Sequence, residues 1–112
     1  MSRITTHILD TSSGKPAVGV NVILNQFSSG SWVLLANGVT DNDGRVKNLL
    51  PAEKKIMNGV YRLVFDTRSY YMSKELKSFY PSVTIEFEIT DDSHYHVPLL
   101  LNPFGYSTYR GS

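Results

Sequence analysis

Along VTIEFEIT (residues 83–90) apolar and polar side chains alternate without a break, Val83, Ile85, Phe87 and Ile89 against Thr84, Glu86, Glu88 and Thr90. Successive side chains of an extended chain point to opposite faces. A period of two therefore predicts a strand with one buried and one wet side. The same alternation puts Tyr61, Leu63 and Phe65 on one face of YRLVFDTR, and VNVILNQF is rich in the β-branched residues that suit a pleated surface. ITTHIL, SWVLLAN, YHVPLLL and GYSTYR complete the set of predicted strands. SSGKP, DNDG and PFG between them carry the Gly, Asp, Asn, Ser and Pro of tight turns. Short strands punctuated in this way predict an all-β fold, a two-sheet antiparallel sandwich. One helix is expected over residues 69–78, SYYMSKELKS, which has good helix formers and stops before Pro81. The chain has 112 residues, so a single domain over 1–112 with one core is expected.

Composition narrows the functions such a sandwich can have. Eleven Lys and Arg against ten Asp and Glu leave the chain near neutrality, without the basic stripe that nucleic acid or an anionic membrane surface would need. There is no cysteine, which excludes disulfides, thiolate catalysis and Cys-ligated metal sites. No apolar run is long enough to span a bilayer, and MSRITTHILD carries no signal-peptide core, so the cytoplasm is the expected compartment.

Few residues can carry chemistry. The histidines are His7, inside the first predicted strand, and His94 and His96, whose alternation points them to one face. Imidazole exchanges a proton near neutral pH without a large shift in its pKa. Each histidine also has an ordinary reading, as a surface or hydrogen-bonded side chain. An H-x-H pair on a strand can chelate zinc, yet no third ligand stands at a usable spacing. Arg45 follows the DNDG turn. It is either a solvated strand end or a planar clamp on carbonyl and anionic oxygens that lysine could not copy. Ser112 has no nucleophile elbow around it, which argues against a Ser-His-Asp hydrolase. Tyr70, Tyr71, Phe79 and Tyr80 read as core and interface, and no Gly-rich phosphate loop exists. From the residues alone the chain is a β-sandwich that could hold a histidine site, its members far apart in sequence.

Four segments join those members. ITTHILDTSSGKPA, TDNDGR, GVYRLVFDT with SFYP, and HYHVPLLLNPFGYSTYRGS together resemble the transthyretin-like family of 5-hydroxyisourate hydrolases, in order and over nearly the whole chain. The terminal Tyr109, Arg110, Gly111 and Ser112 match the family's most specific signature, while Ile4 and Asn102 depart from its usual leucine and serine. The resemblance implies a transthyretin-like (prealbumin-like) sandwich of about eight strands with one short helix. It also implies a homotetramer, a dimer of dimers with its sites in a central channel. The implied reaction opens the six-membered ring of 5-hydroxyisourate in urate degradation, with no cofactor or metal. The family's catalytic positions fall on His7, His96 and Ser112, and its substrate-binding ones on Arg45, Tyr109, Arg110 and Gly111. By this reading a histidine pair activates water while Arg45 holds the substrate, and the end of the chain is expected inside the site.

Two other functions fit the same fold: a carrier that uses the channel for a hydrophobic ligand, and a structural or adhesive sandwich. One architecture hosts many functions, so the site must decide. A carrier channel needs mainly apolar walls. Histidine, arginine and tyrosine at the matched positions favour the enzyme.

Overall fold

The computed structural model describes residues 2–112. Eight strands and one helix follow each other as β1 (Ile4–Asp10), β2 (Lys15–Pro16), β3 (Asn21–Ser28), β4 (Ser31–Val39), β5 (Gly59–Phe65), α1 (Thr67–Ser73), β6 (Val83–Ile89), β7 (Tyr95–Asn102) and β8 (Gly105–Thr108). They form two four-stranded sheets, ordered β2-β1-β7-β8 and β4-β3-β5-β6. The expected two-sheet sandwich of about eight strands with one short helix is what the structure has, although β2 is only two residues long. One pairing departs from the antiparallel rule. β1 runs parallel to β7, with Ile4 opposite Tyr95 and Asp10 opposite Leu101. The two strands come from opposite ends of the chain, so no hairpin dictates their direction.

Period two reads directly onto burial. β1 buries Ile4, Thr6, Ile8 and Asp10 and turns Thr5, His7 and Leu9 outward. Tyr61, Leu63 and Phe65 of β5 are buried, as are Val83, Ile85 and Ile89 of β6, while Glu86 and Glu88 stay wet. These side chains fill one core between the sheets. Pro98 lies inside β7, where a missing N–H would ordinarily break a ladder. Here β8 pairs with β7 only from Leu99 onward, opposite Thr108. The proline sits where that ladder has already opened.

The helix is shorter and earlier than expected. Its N-cap is Asp66, whose carboxylate accepts from the Ser69 amide at 3.2 Å. It ends at Ser73 because Glu75 takes a left-handed conformation (φ 58°), with the amides of Glu75 and Leu76 returning to the carbonyls of Met72 and Tyr71. That is a Schellman stop built with glutamate in the place usually given to glycine. Without the glycine, the sequence carried no mark of it. No helix among the described residues is long and apolar enough to cross a membrane.

One buried polar cluster ties the helix to the first strand. Asp10 is 1% exposed, and its carboxylate accepts from the Ser12 amide at 3.0 Å and the Tyr70 hydroxyl at 2.8 Å, as well as from the Ser12 hydroxyl. Burial alone would raise the carboxyl's pKa, but these donors together hold it below the ordinary range. Asp10 therefore adds stability above the unfolded carboxyl's pKa of about 3.9, and loses it as pH falls through the lower folded value. Tyr70→Phe should cost about 1–3 kcal/mol at pH 7 in urea denaturation. The gap from wild type should narrow well below pH 4. A gap that is independent of pH would mean that lost packing, not the hydrogen bond, is responsible.

Candidate active site

Parallel pairing of β1 with β7 sets Thr5 opposite His96 and His7 opposite Pro98. The outward face of this sheet thereby gathers histidines from the two ends of the chain. Arg45 reaches the same face through the DNDG turn. The Asp41 carboxylate accepts from the amides of Asp43 and Arg45, and the Gly44 carbonyl accepts from the Ile8 amide at 2.9 Å. Arg45 then pairs with His7 as an isolated antiparallel bridge. Gly44 has no substitute here: its φ is +75°, and a Cβ would stand 2.5 Å from the Ile8 carbonyl oxygen.

The chain's last described residues come back to the same place. Beyond β8 the Gly111 amide donates to the His96 carbonyl at 2.8 Å, laying the backbone across that histidine. A Cβ on Gly111 would stand 2.5 Å from His96 Cδ2, so only glycine permits so close a crossing. The result is an open cleft of about 330 Å³ walled by Thr5, Arg45, His94, His96 and Ser112. A neighbouring hollow of about 290 Å³ shares Thr5 and Arg45 as walls. His7 stands one step outside the cleft wall, beside Gly44 and Arg45.

Within the cleft the His94 and His96 rings stack, 6.3 Å apart and 17° from parallel. The Thr5 hydroxyl lies between them, 2.9 Å from His94 Nε2 and 2.8 Å from His96 Nδ1. Burial first, and then the nearby charges of Arg45, His94 and His7, pull the His96 pKa below that of an ordinary imidazole. Neutral His96 is the form this surrounding favours at neutral pH. A neutral imidazole with one nitrogen free is a proton acceptor, and Arg45 on the same wall is a donor to oxygens.

The expected site residues therefore divide. Arg45, His96 and Ser112 share the cleft, Gly111 shapes it through its backbone, and His7 borders it. Tyr109 and Arg110 are not brought to it. They line a second groove of about 250 Å³ between β6 and β8, with Phe87 and Tyr95. Arg110 lies over the Tyr95 ring at 4.3 Å and donates to the Ser93 hydroxyl at 3.0 Å. Asp91 accepts from Ser93 and from the Tyr95 hydroxyl, donors that hold its carboxyl down to about 2. Arg3 donates to the carbonyls of Asp91 and Ser93 at 2.8 and 3.2 Å. Two arginines thus fasten the loop that presents His94. Thr5 is the cleft residue that the sequence reading did not name, although the alternation of ITTHIL puts it on the face of His7; His94 was named among the histidines but not among the site positions that the resemblance implies.

Sheet order and cleft define a β-sandwich protein with a polar cleft on the outer face of one sheet. A model of the HIUase/Transthyretin family matches residues 4–111, and the chain belongs to that family. A curated relative from Salmonella dublin, named 5-hydroxyisourate hydrolase, is 51% identical over 110 residues, covering 97% of this chain and 80% of the relative. Among solved structures, that of Klebsiella pneumoniae 5-hydroxyisourate hydrolase superposes with a TM-score of 0.84 at 38% identity, covering 97% of this chain and 98% of that one. Sea bream transthyretin in complex with thyroxine superposes with a TM-score of 0.92 at 34% identity, covering 98% of this chain and 95% of that one.

The close crossing of Gly111 over His96 yields a direct expectation. Gly111→Ala should push the imidazole out of its place, lowering catalytic turnover at least tenfold while Tm shifts by no more than about 3 °C. Wild-type turnover in that variant would show that the crossing has no part in positioning His96.

Proposed function

We propose that this chain hydrolyses 5-hydroxyisourate, opening its six-membered ring to give 2-oxo-4-hydroxy-4-carboxy-5-ureidoimidazoline. The observation that carries the reading is the meeting of Arg45, His96 and Ser112, from three distant segments, on one cleft in which His96 is biased toward its neutral form. The names of the hydrolase relatives supply the substrate.

Ring opening at an acyl–nitrogen bond needs a nucleophilic water, a site for the oxyanion that forms when it adds, and a grip on a flat heterocycle. In this reading His96 takes the proton from water, a contribution of about 10²–10⁴-fold for a positioned general base. Arg45 holds the substrate's oxygens with its planar fork and stabilises the charge that grows on the attacked carbonyl. The Ser112 hydroxyl donates to a second substrate oxygen. His7, paired in the backbone with Arg45, orients that arginine or the water. As the ring bond breaks, the proton held by His96 passes to the departing nitrogen, which leaves both the water and the imidazole balanced.

The working form in this reading is a homotetramer, a dimer of dimers. Each sheet has two edge strands, β2 and β8 in one and β4 and β6 in the other, and unpaired edges invite a second chain. In such an assembly Tyr109, exposed beside β8, is placed to reach a neighbour's cleft, while Arg110 stays engaged with Tyr95 and Ser93. The likeness to thyroxine-bound transthyretin gives a carrier as the second reading. The charged and imidazole-lined cleft disfavours it, since a carrier of a hydrophobic ligand wants apolar walls.

Freshly generated 5-hydroxyisourate decides between them. The chain should speed its disappearance, and His96→Asn should abolish at least 99% of the gain with the fold intact by circular dichroism. Spontaneous decay left unchanged by the wild-type chain would favour the carrier. The pH dependence has a fixed sign. Turnover requires the neutral imidazole, so it should hold at pH 7 and fall on the acid side, below the ordinary imidazole value of about 6.5. A flat profile from pH 8 to pH 4.5 in the chemical step would remove histidine from the mechanism.

A further inference from the structure

The Thr5 hydroxyl has one proton and two imidazole neighbours. It can donate to only one of them, so the other nitrogen must carry a hydrogen and donate to it. Two arrangements satisfy both contacts with the Thr5 proton bonded to one of the rings; a third, in which both nitrogens donate to the Thr5 oxygen, leaves that proton without a ring partner. In the first, His96 Nδ1–H donates to Thr5, Thr5 donates to His94 Nε2, and His96 Nε2 is left as a lone pair. In the second the chain of donors reverses: His94 Nε2–H donates to Thr5, Thr5 donates to His96 Nδ1, and His96 carries its hydrogen on Nε2. The two differ in which nitrogen of His96 is basic, because the hydrogen bond at one ring nitrogen sets the state of the other.

We propose that Thr5 is a positioning residue that couples the protonation of His94 to the tautomer of His96. While His94 is neutral, the first arrangement leaves His96 Nε2 free to act as base. A proton on His94 puts a hydrogen on its Nε2 and so excludes the first arrangement; the second then keeps the Thr5 proton bonded to His96 Nδ1, which occupies His96 Nε2 while His96 itself stays neutral. The proposal rests on the hydrolase reading for its consequence, though not for its geometry. Thr5 stands directly opposite His96 in the β1–β7 register, on a strand whose backbone cannot shift without breaking the core, so the bridge is rigidly held. His94 is the ring open to solvent, and His96 is the partly buried one. The exposed ring therefore senses the medium and the covered ring responds. The charged and titratable groups around His94 are His96 beside it, Arg45 across the cleft, His7 beyond that, Asp91 and Asp92 on its own loop, and Arg3 and Arg110 bonded to that loop.

Nitrogen-15 NMR of the histidine side chains, with assigned resonances, tests the coupling directly. In wild type at pH 8 His96 should carry its hydrogen on Nδ1. As pH falls, the hydrogen should appear on Nε2 in step with protonation of His94. Thr5→Val keeps the β-branched shape and removes the hydroxyl, so His96 should then hold its hydrogen on Nε2 whenever it is neutral. Turnover in Thr5→Val should drop about tenfold or more with KM within about twofold, and Thr5→Ser should restore both turnover and the Nδ1–H signal. Wild-type His96 with its hydrogen on Nε2 at pH 8 would overturn the proposal, as would a Thr5→Val variant with the wild-type tautomer. The two readings fail separately. A wild-type chain inactive on 5-hydroxyisourate defeats the hydrolase reading while the NMR still answers for the coupling, and an active chain with Thr5→Val at full turnover defeats only the coupling.

Discussion

Everything placed around the cleft depends on the parallel pairing of β1 with β7. The two strands are separated by most of the chain, and their ladder holds Thr5 opposite His96 across a gap of 91 residues. Register matters here more than elsewhere in the molecule. A slip by one residue would turn Thr5 and His7 into the core and bring Ile4, Thr6 and Ile8 out to water. The core residues that fix the register are therefore also what fixes the site. Buried Ile4, Ile8, Val97 and Leu99 hold the inner face, and the outer face carries the chemistry.

The second constraint is close backbone approach, and two glycines supply it. Gly44 lets the DNDG turn press against Ile8 so that Arg45 emerges beside His7, and Gly111 lets the end of the described chain cross His96. Neither could be replaced without moving a functional side chain. The YRGS segment thus divides its work between two sides of β7. Gly111 and Ser112 belong to the cleft, while Arg110 lies on Tyr95 and braces the loop that bears His94. His96 is crowded on several sides at once, and the same crowding that orients it makes its charged form unfavourable.

The strands were legible because burial on one face leaves alternation behind it, as β5 and β6 show. The parallel direction of β1 and β7 was not, since no local pattern records how distant strands meet. The helix was misjudged by its end, where a left-handed Glu75 stops the turn without the glycine that usually marks such a stop. His7, Arg45, His96 and Ser112 could be named through the family resemblance, and the structure brings them to one region. Tyr109 and Arg110 were named in the same way and lie on the other groove, because similarity of sequence does not say which side of a strand end a side chain takes. Thr5 and His94 were visible as types but not as partners. Their bond joins β1 to the loop before β7, a contact that only the folded chain contains.

The sandwich itself is shared by relatives named hydrolase and by a transthyretin that binds thyroxine, so the fold leaves the function open and the cleft must carry it. The most direct test of the cleft is a crystal structure of the chain with a non-hydrolysable bicyclic purine analogue. The account predicts that the analogue's oxygens meet the Arg45 guanidinium, that its ring edge faces His96 Nε2, and that Ser112 is within hydrogen-bond distance. An analogue bound instead in the groove between β6 and β8, with Arg45 and His96 untouched, would contradict it.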